Sequence, residues 1–221
     1  MAVRLRGVSK AFRTPDGWKV IARDIDVTFP TGASVALLGR NGAGKSTLLQ
    51  MIGGTVPADR GRIDVDGTVS WPVGFAGSFH GDLTGVQNTR FVARVYGVDT
   101  DSLVAFVRDF AGLGSHFNMP VRQYSSGMKS RLAFGVSMGI RFDTYLVDEV
   151  TAVGDAAFKR KSRAMFRDRM KDSSAIVVSH SMRDVRAFCD MGAVLEDGRL
   201  VLYDDLEAAI AHHEANMSIE A

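Results

Sequence analysis

The run Gly39, Arg40, Asn41, Gly42, Ala43, Gly44, Lys45, Ser46, Thr47 matches G-x-x-x-x-G-K-[ST] without a departure, and nothing else in the chain limits its fold so strongly. Glycines let such a loop turn back until several backbone N–H groups aim at one anion, and the helix that follows adds its positive end. Lys45 brings a point charge for the β- and γ-phosphates, and the Ser46 hydroxyl is a ligand for Mg²⁺. The flanks fit. Val35, Ala36, Leu37 and Leu38 read as a buried strand, and Leu48, Met51 and Ile52 recur at helical spacing before Gly53-Gly54. Strand, loop and helix predict a nucleotide-phosphate cradle rather than a structural glycine turn.

Around this cradle, 221 residues with a hydrophobic fraction of 46% suit one α/β domain carrying an insertion. A net charge of +2, with Lys and Arg scattered along the chain, gives no signature of nucleic-acid or membrane-surface binding. Cys189 is the single cysteine, and residues 1 to 30 lack a basic start followed by an apolar run, so a reducing cytoplasm is expected. No apolar run approaches the roughly 18 residues needed to span a bilayer. Any membrane role is therefore expected to come through a partner.

From the N-terminus, Val3, Leu5 and Val8 alternate, and after the Pro15-Asp16-Gly17 turn Val20, Ile21, Ile25 and Val27 follow, predicting short antiparallel strands. Phe12 and Trp18 flank that turn. Either is a candidate to stack on a purine, with core packing as the alternative, and Phe12 is preferred because it directly follows the strand carrying Val8. The stretch Gly61 to Trp71 predicts another strand pair. Pro72 to Gly81 reads as a loop whose Phe75 and Phe79 either touch a partner or pack beneath it; His80 alone makes no metal site.

From Thr84 the period becomes helical. Phe91, Val92, Val95 and Tyr96 fall on one face, and Leu103, Phe106, Val107, Phe110 and Ala111 on another, predicting a helical insertion from about residue 82 to about residue 140. A third helix starts at Tyr124-Ser125-Ser126-Gly127-Met128 and continues through Leu132 and Val136. Its N-terminus is either a second anion site or a plain Ser N-cap.

Tyr145-Leu146-Val147 ends in Asp148 and Glu149. An apolar strand ending in acid reads as a Walker B element, with Asp148 helping to hold Mg²⁺ and Glu149 able to accept a proton from an attacking water. In the next helix Phe158, Met165, Phe166 and Met170 point inward. Its basic run from Lys159 to Arg167 reads as a solvated face, with anionic lipid or a partner as the alternative. Ala175 to Val178 forms another buried strand and delivers His180 to its end, within reach of a γ-phosphate. Asp197-Gly198 predicts a tight hairpin, and Leu206 to Met217 a final helix. His212 and His213 diverge by about 100° on that helix, which argues against a shared metal.

The phosphate loop, Tyr124 to Met128, Asp148-Glu149, Asp155 and His180, in this order and spacing, resemble the nucleotide-binding subunit of an ABC transporter across the whole chain. The resemblance implies one nucleotide-binding domain over 1–221. It is an α/β P-loop NTPase (RecA-like) core at 1–81 and 141–221, with an antiparallel β-subdomain and an inserted α-helical subdomain at 82–140. It implies the signature motif at Ser125, Ser126, Gly127 and Met128, the D-loop at Asp155, the switch histidine at His180, the catalytic base at Glu149 and the adenine-stacking aromatic at Phe12. The family's usual glutamine after the strand near Trp71 has no counterpart, since Gly74 to Gly77 occupy that place. A finer likeness is to capsular polysaccharide export ATPases. It is carried by Ile52-Gly53-Gly54, Ser70-Trp71-Pro72-Val73-Gly74, the signature stretch and Asp148 to Asp155; O-antigen and teichoic-acid exporters share part of it. Implied with it are ATP and Mg²⁺, a head-to-tail pair of copies, and integral-membrane permease subunits. The implied place is the cytoplasmic face of the inner membrane, with no nucleic-acid partner.

Overall fold

The computed structural model describes residues 2–15, 17–73, 79–148 and 155–218. Glu149, Gly74 to Gly77 with Phe75, and Thr151 to Gly154 lie outside the described residues. Two compact units emerge: Met1–Pro72 with Phe142–Glu149 and Met170–Ala221, and Val73–Arg141 with Val150–Arg169.

The first unit holds two sheets. β3 (Ser34–Leu38), β5 (Thr144–Asp148), β6 (Ser174–Val178), β7 (Met191–Glu196) and β8 (Arg199–Tyr203) form one, in the order β5-β6-β3-β7-β8. The first four are parallel and β8 returns antiparallel on β7. β3 and β6 are buried at every position, as expected of strands covered on both faces. The Asp197-Gly198 hairpin forms as expected, with φ of 47° and 78° at its two central residues. α1 (Lys45–Ile52) packs Leu48, Leu49, Met51 and Ile52 into a core with Leu37, Leu146, Ile176 and Leu195. α7 (Leu206–Ser218) lies so close on β7 that a Cβ at Gly192 would come within 2.3 Å of the Ala209 Cβ.

The second sheet is antiparallel, in the order β2-β1-β4, from β1 (Val3–Thr14), β2 (Gly17–Phe29) and β4 (Arg60–Val65). β1 and β2 are longer than the sequence pattern suggested, because register shifts between Leu5 and Ala11 let one pair of strands continue through a break in alternation. The expected strand pair over Gly61 to Trp71 is corrected. β4 pairs with β1, and the segment beyond it makes an isolated parallel bridge, Val69 to Thr144, among the described residues. Side chains hold that segment: the Thr68 N–H and hydroxyl both donate to Asp143 at 2.8 Å, and Ser70 accepts the Leu146 N–H at 2.9 Å.

The second unit is helical, with α2 (Gly85–Val95), α3 (Thr100–Ala111), α4 (Ser126–Gly139) and α5 (Ala156–Arg169). α2 begins in a capping box of Thr84 and Gln87, α3 at an Asp99 cap with Gly112 left-handed at its end. The expected buried face of α2 is corrected: Phe91, Val95 and Tyr96 are exposed, while Asn88, Thr89, Val92 and Ala93 are buried. Two things turn the helix. A Cβ on Gly85 would lie 2.5 Å from the Tyr124 hydroxyl, and the Asn88 amide donates to the carbonyls of His80, Leu83 and Thr84. Lys161 of the exposed basic run on α5, and Arg169 beyond it, are likewise engaged. Lys161 donates to the Asp109 and Phe110 carbonyls in the last turn of α3, and Arg169 to the Met138 carbonyl near the end of α4, where cations suit the negative end of a helix. No helix among the described residues is long and apolar enough to cross a membrane.

Candidate functional site

The loop between β3 and α1 turns through three glycines with positive φ, 151° at Gly39, 82° at Gly42 and 105° at Gly44. Space as well as torsion demands them: a Cβ on Gly39 would sit 2.4 Å from the Leu195 carbonyl oxygen, and one on Gly44 would sit 2.6 Å from the Ile21 side chain. Gly44 caps α1 with no side-chain hydrogen bond, so the first N–H groups of that helix have no side-chain acceptor there. The Lys45 ammonium folds back over the loop and donates to the carbonyls of Gly39 at 2.6 Å and Arg40 at 2.9 Å.

Beside this loop lies a cavity of about 250 Å³ whose walls include Asn41, Gly42, Gly44, Lys45, Ser46 and Thr47 together with Asp148, His180 and, from β2, Lys19 and Ile21. Asp148 ends β5, opposite Val178 in register, and His180 follows β6. Both reach the cavity because the carboxyl ends of parallel strands open on one crevice. A hydroxyl and one carboxylate suit Mg²⁺, which keeps several waters and takes phosphate oxygens for the rest. Ser46 and Asp148 line the same cavity, and no cluster of three or more His, Cys, Asp or Glu occurs among the described residues. The donor set thus fits Mg²⁺ shared with a phosphate chain rather than a metal caged by protein alone.

The two candidate stacking aromatics lie on opposite faces of the β1–β2 ribbon. Phe12 faces Lys19 in register and Arg13 faces Trp18, and residues directly opposite one another share a face. Phe12 is therefore on the side of Lys19 and Ile21, the phosphate-loop side, where its ring carries the Lys10 ammonium 5.1 Å from its centroid. Trp18 turns the other way, into a wider cavity of about 770 Å³ walled also by Arg23, Glu196 and Arg199.

In the helical unit, Ser125 is the N-cap of α4 and its hydroxyl accepts the Met128 N–H at 3.2 Å. Ser126 is exposed, Gly127 and Met128 half-buried. A Cβ at Gly127 would meet nothing nearer than the Ser125 hydroxyl at 3.9 Å, so open space borders this turn. Asp155 precedes α5, accepts the Phe158 N–H at 2.8 Å and pairs with Arg131 of α4 at 2.6 Å. The Phe158 N–H, and then the Arg131 charge, hold the Asp155 carboxyl below the ordinary carboxylate value. This tie between α4 and Asp155 is not visible in either sequence motif.

Sequence reasoning also missed Lys19, although a signal existed. Counting outward from the Thr14–Gly17 turn places it directly opposite Phe12. It missed His213 of α7 too, whose imidazole is pushed below its ordinary pKa by burial and then by the charge of Lys45. No local pattern links His213 to the loop, because α7 comes near it only through packing on β7.

Comparison with known proteins follows the same lines. The profile of the family described as ABC transporter matches residues 22–152. The polysialic acid transport ATP-binding protein KpsT of Escherichia coli is 45% identical over 99% of this chain and 99% of its own length. The capsule polysaccharide export ATP-binding protein CtrD of Neisseria meningitidis serogroup B is 42% identical over 96% of this chain and 99% of its own. Among solved structures, a dimeric ATP-binding cassette in a post-hydrolysis state with ADP and Pi aligns with a TM-score of 0.76 at 20% identity, over 90% of this chain and 96% of that one.

Proposed function

The chain belongs to the ABC transporter family, and from that premise we propose that it is the ATP-hydrolysing subunit of a transporter exporting capsular polysaccharide. The observation that carries this reading is the cavity in which the phosphate loop, Ser46, Asp148 and His180 meet. Near full-length similarity to capsule and polysialic acid export proteins supports the choice of cargo.

In this reading the glycine loop and the N-terminus of α1 bind the phosphates of ATP, and Phe12 stacks on adenine. Lys45 exchanges the carbonyls of Gly39 and Arg40 for phosphate oxygens. Ser46 and Asp148 would hold Mg²⁺, whose charge when bound offsets that on the phosphate oxygens. Glu149 takes the proton of the attacking water, and His180 holds the γ-phosphate from the strand end. Ser125, Ser126, Gly127 and Met128 of a second copy complete the site, with Asp155 near the junction. A head-to-tail pair of copies closes over ATP and reopens after hydrolysis, and that motion is passed to membrane permease subunits. The permease holds the pair at the cytoplasmic face of the inner membrane.

The decisive variant is Glu149→Gln. It should retain ATP binding, lose turnover and accumulate as an ATP-bound dimer on size-exclusion chromatography; normal hydrolysis by this variant would sink the assignment.

A further inference from the structure

We propose that Lys19 is a second ammonium for the phosphate chain of the nucleotide, delivered from β2 across the loop from Lys45. The inference rests on the nucleotide reading above and adds a residue that the phosphate-loop motif does not contain. The Lys19 Nζ lies 3.5 Å from the point where a Cβ on Gly42 would stand. Lys19 is an exposed residue, and its ammonium lies against the loop. Gly42 is one of the positive-φ residues that turn the loop, and Lys19 and Gly42 wall the same cavity.

Three further observations favour a phosphate partner. Among the described residues the Lys19 side chain makes no hydrogen bond or ion pair, whereas Lys10 on the neighbouring strand is already paired with Asp59 at 2.7 Å. The described charged and titratable groups on this cavity are Lys19, Lys45, Asp148 and His180, so two ammonium groups share one cleft. Gathering like charge in one cleft is unfavourable on its own and is relieved by a polyanion. Finally, the strand register sets Lys19 beside Phe12, so an ammonium here serves the phosphates while the ring serves the base.

The bland alternative is a solvated lysine on the edge strand β2, a common device against edge pairing. The two readings differ in what they do to binding. The test titrates the full chain with Mg·ATP, ADP and adenosine by calorimetry at two ionic strengths, comparing Lys19→Met, Lys19→Arg and Lys45→Ala. We expect Lys19→Met to weaken ATP by about five- to tenfold and ADP by less. Adenosine affinity and the preference for ATP over GTP should not change. The salt dependence of ATP binding should become shallower, and Lys19→Arg should restore most of the affinity. ATP affinity unchanged in Lys19→Met, or equal losses for ATP and adenosine, would overturn the proposal. If Lys45→Ala loses ATP while Lys19→Met does not, the nucleotide reading stands and only Lys19 falls. If neither variant matters, the nucleotide reading itself falls.

Discussion

The phosphate loop and the turn at Ser125 both lead into a helix N-terminus, yet they are built differently. α1 starts from Gly44 with no side-chain cap, whereas α4 starts from Ser125, whose hydroxyl already takes the Met128 N–H. Around α1 the glycines are forced by positive φ and by close approach to Leu195 and Ile21, and two lysines converge on the loop. Around α4 a Cβ on Gly127 would meet open space. The first terminus leaves its N–H groups for an anion and surrounds them with positive charge, so it can bind phosphate within one copy. The second has already spent one donor on its own cap.

This contrast can be broken in order of expected effect. Gly44→Val would force a β-branched residue into φ 105° against Ile21, and Lys45→Ala removes the loop's own ammonium. Each should weaken ATP by about 100-fold or more in calorimetry. Ser125→Ala should leave single-copy ATP affinity within about twofold, lower stability by about 1 kcal/mol and reduce turnover by about tenfold or more. If it lowered single-copy affinity as far as Lys45→Ala does, the two termini would be equivalent and the contrast would fail.

Two smaller effects sharpen it. Burial, and then Asp190, push the Cys189 thiol up to about 12, so alkylation at mildly alkaline pH should proceed only through opening of the core. Saturating ATP should slow that labelling in the parent chain and in Ser125→Ala, but not in Lys45→Ala. The smallest effect belongs to Asp155. Its folded pKa is depressed, so its stabilising contribution is present above the ordinary carboxylate value and is lost as pH falls through the folded value. Asp155→Asn keeps an N-cap acceptor but loses the charge, so it should melt slightly below the parent at neutral pH and converge with it at acid pH, which flattens the loss of stability on the acid side.

Where the sequence was legible, the signal and the structure shared a short range. The phosphate cradle was readable because its glycines, lysine and serine act within one turn of chain. Asp148 and His180 were readable because buried strands announce where they end. The inward face of α2 was not, since Asn88 is buried through three carbonyls that no hydrophobic period records. The basic run on α5 is largely exposed, as its pattern suggested, but that pattern did not show that Lys161, and Arg169 beyond the run, also bond the carbonyls at the ends of other helices.

The sequence by itself determined the phosphate loop, the acid and histidine at the strand ends, and the motif order that marks the family. These are local backbone requirements, and they survive whatever packs around them. Only the tertiary structure decided that β4 joins β1, that Phe12 rather than Trp18 shares the loop's side of its sheet, and that Lys19 leans on Gly42. Those outcomes depend on strand register and on which face turns inward, and both are set by contacts between residues far apart in the chain.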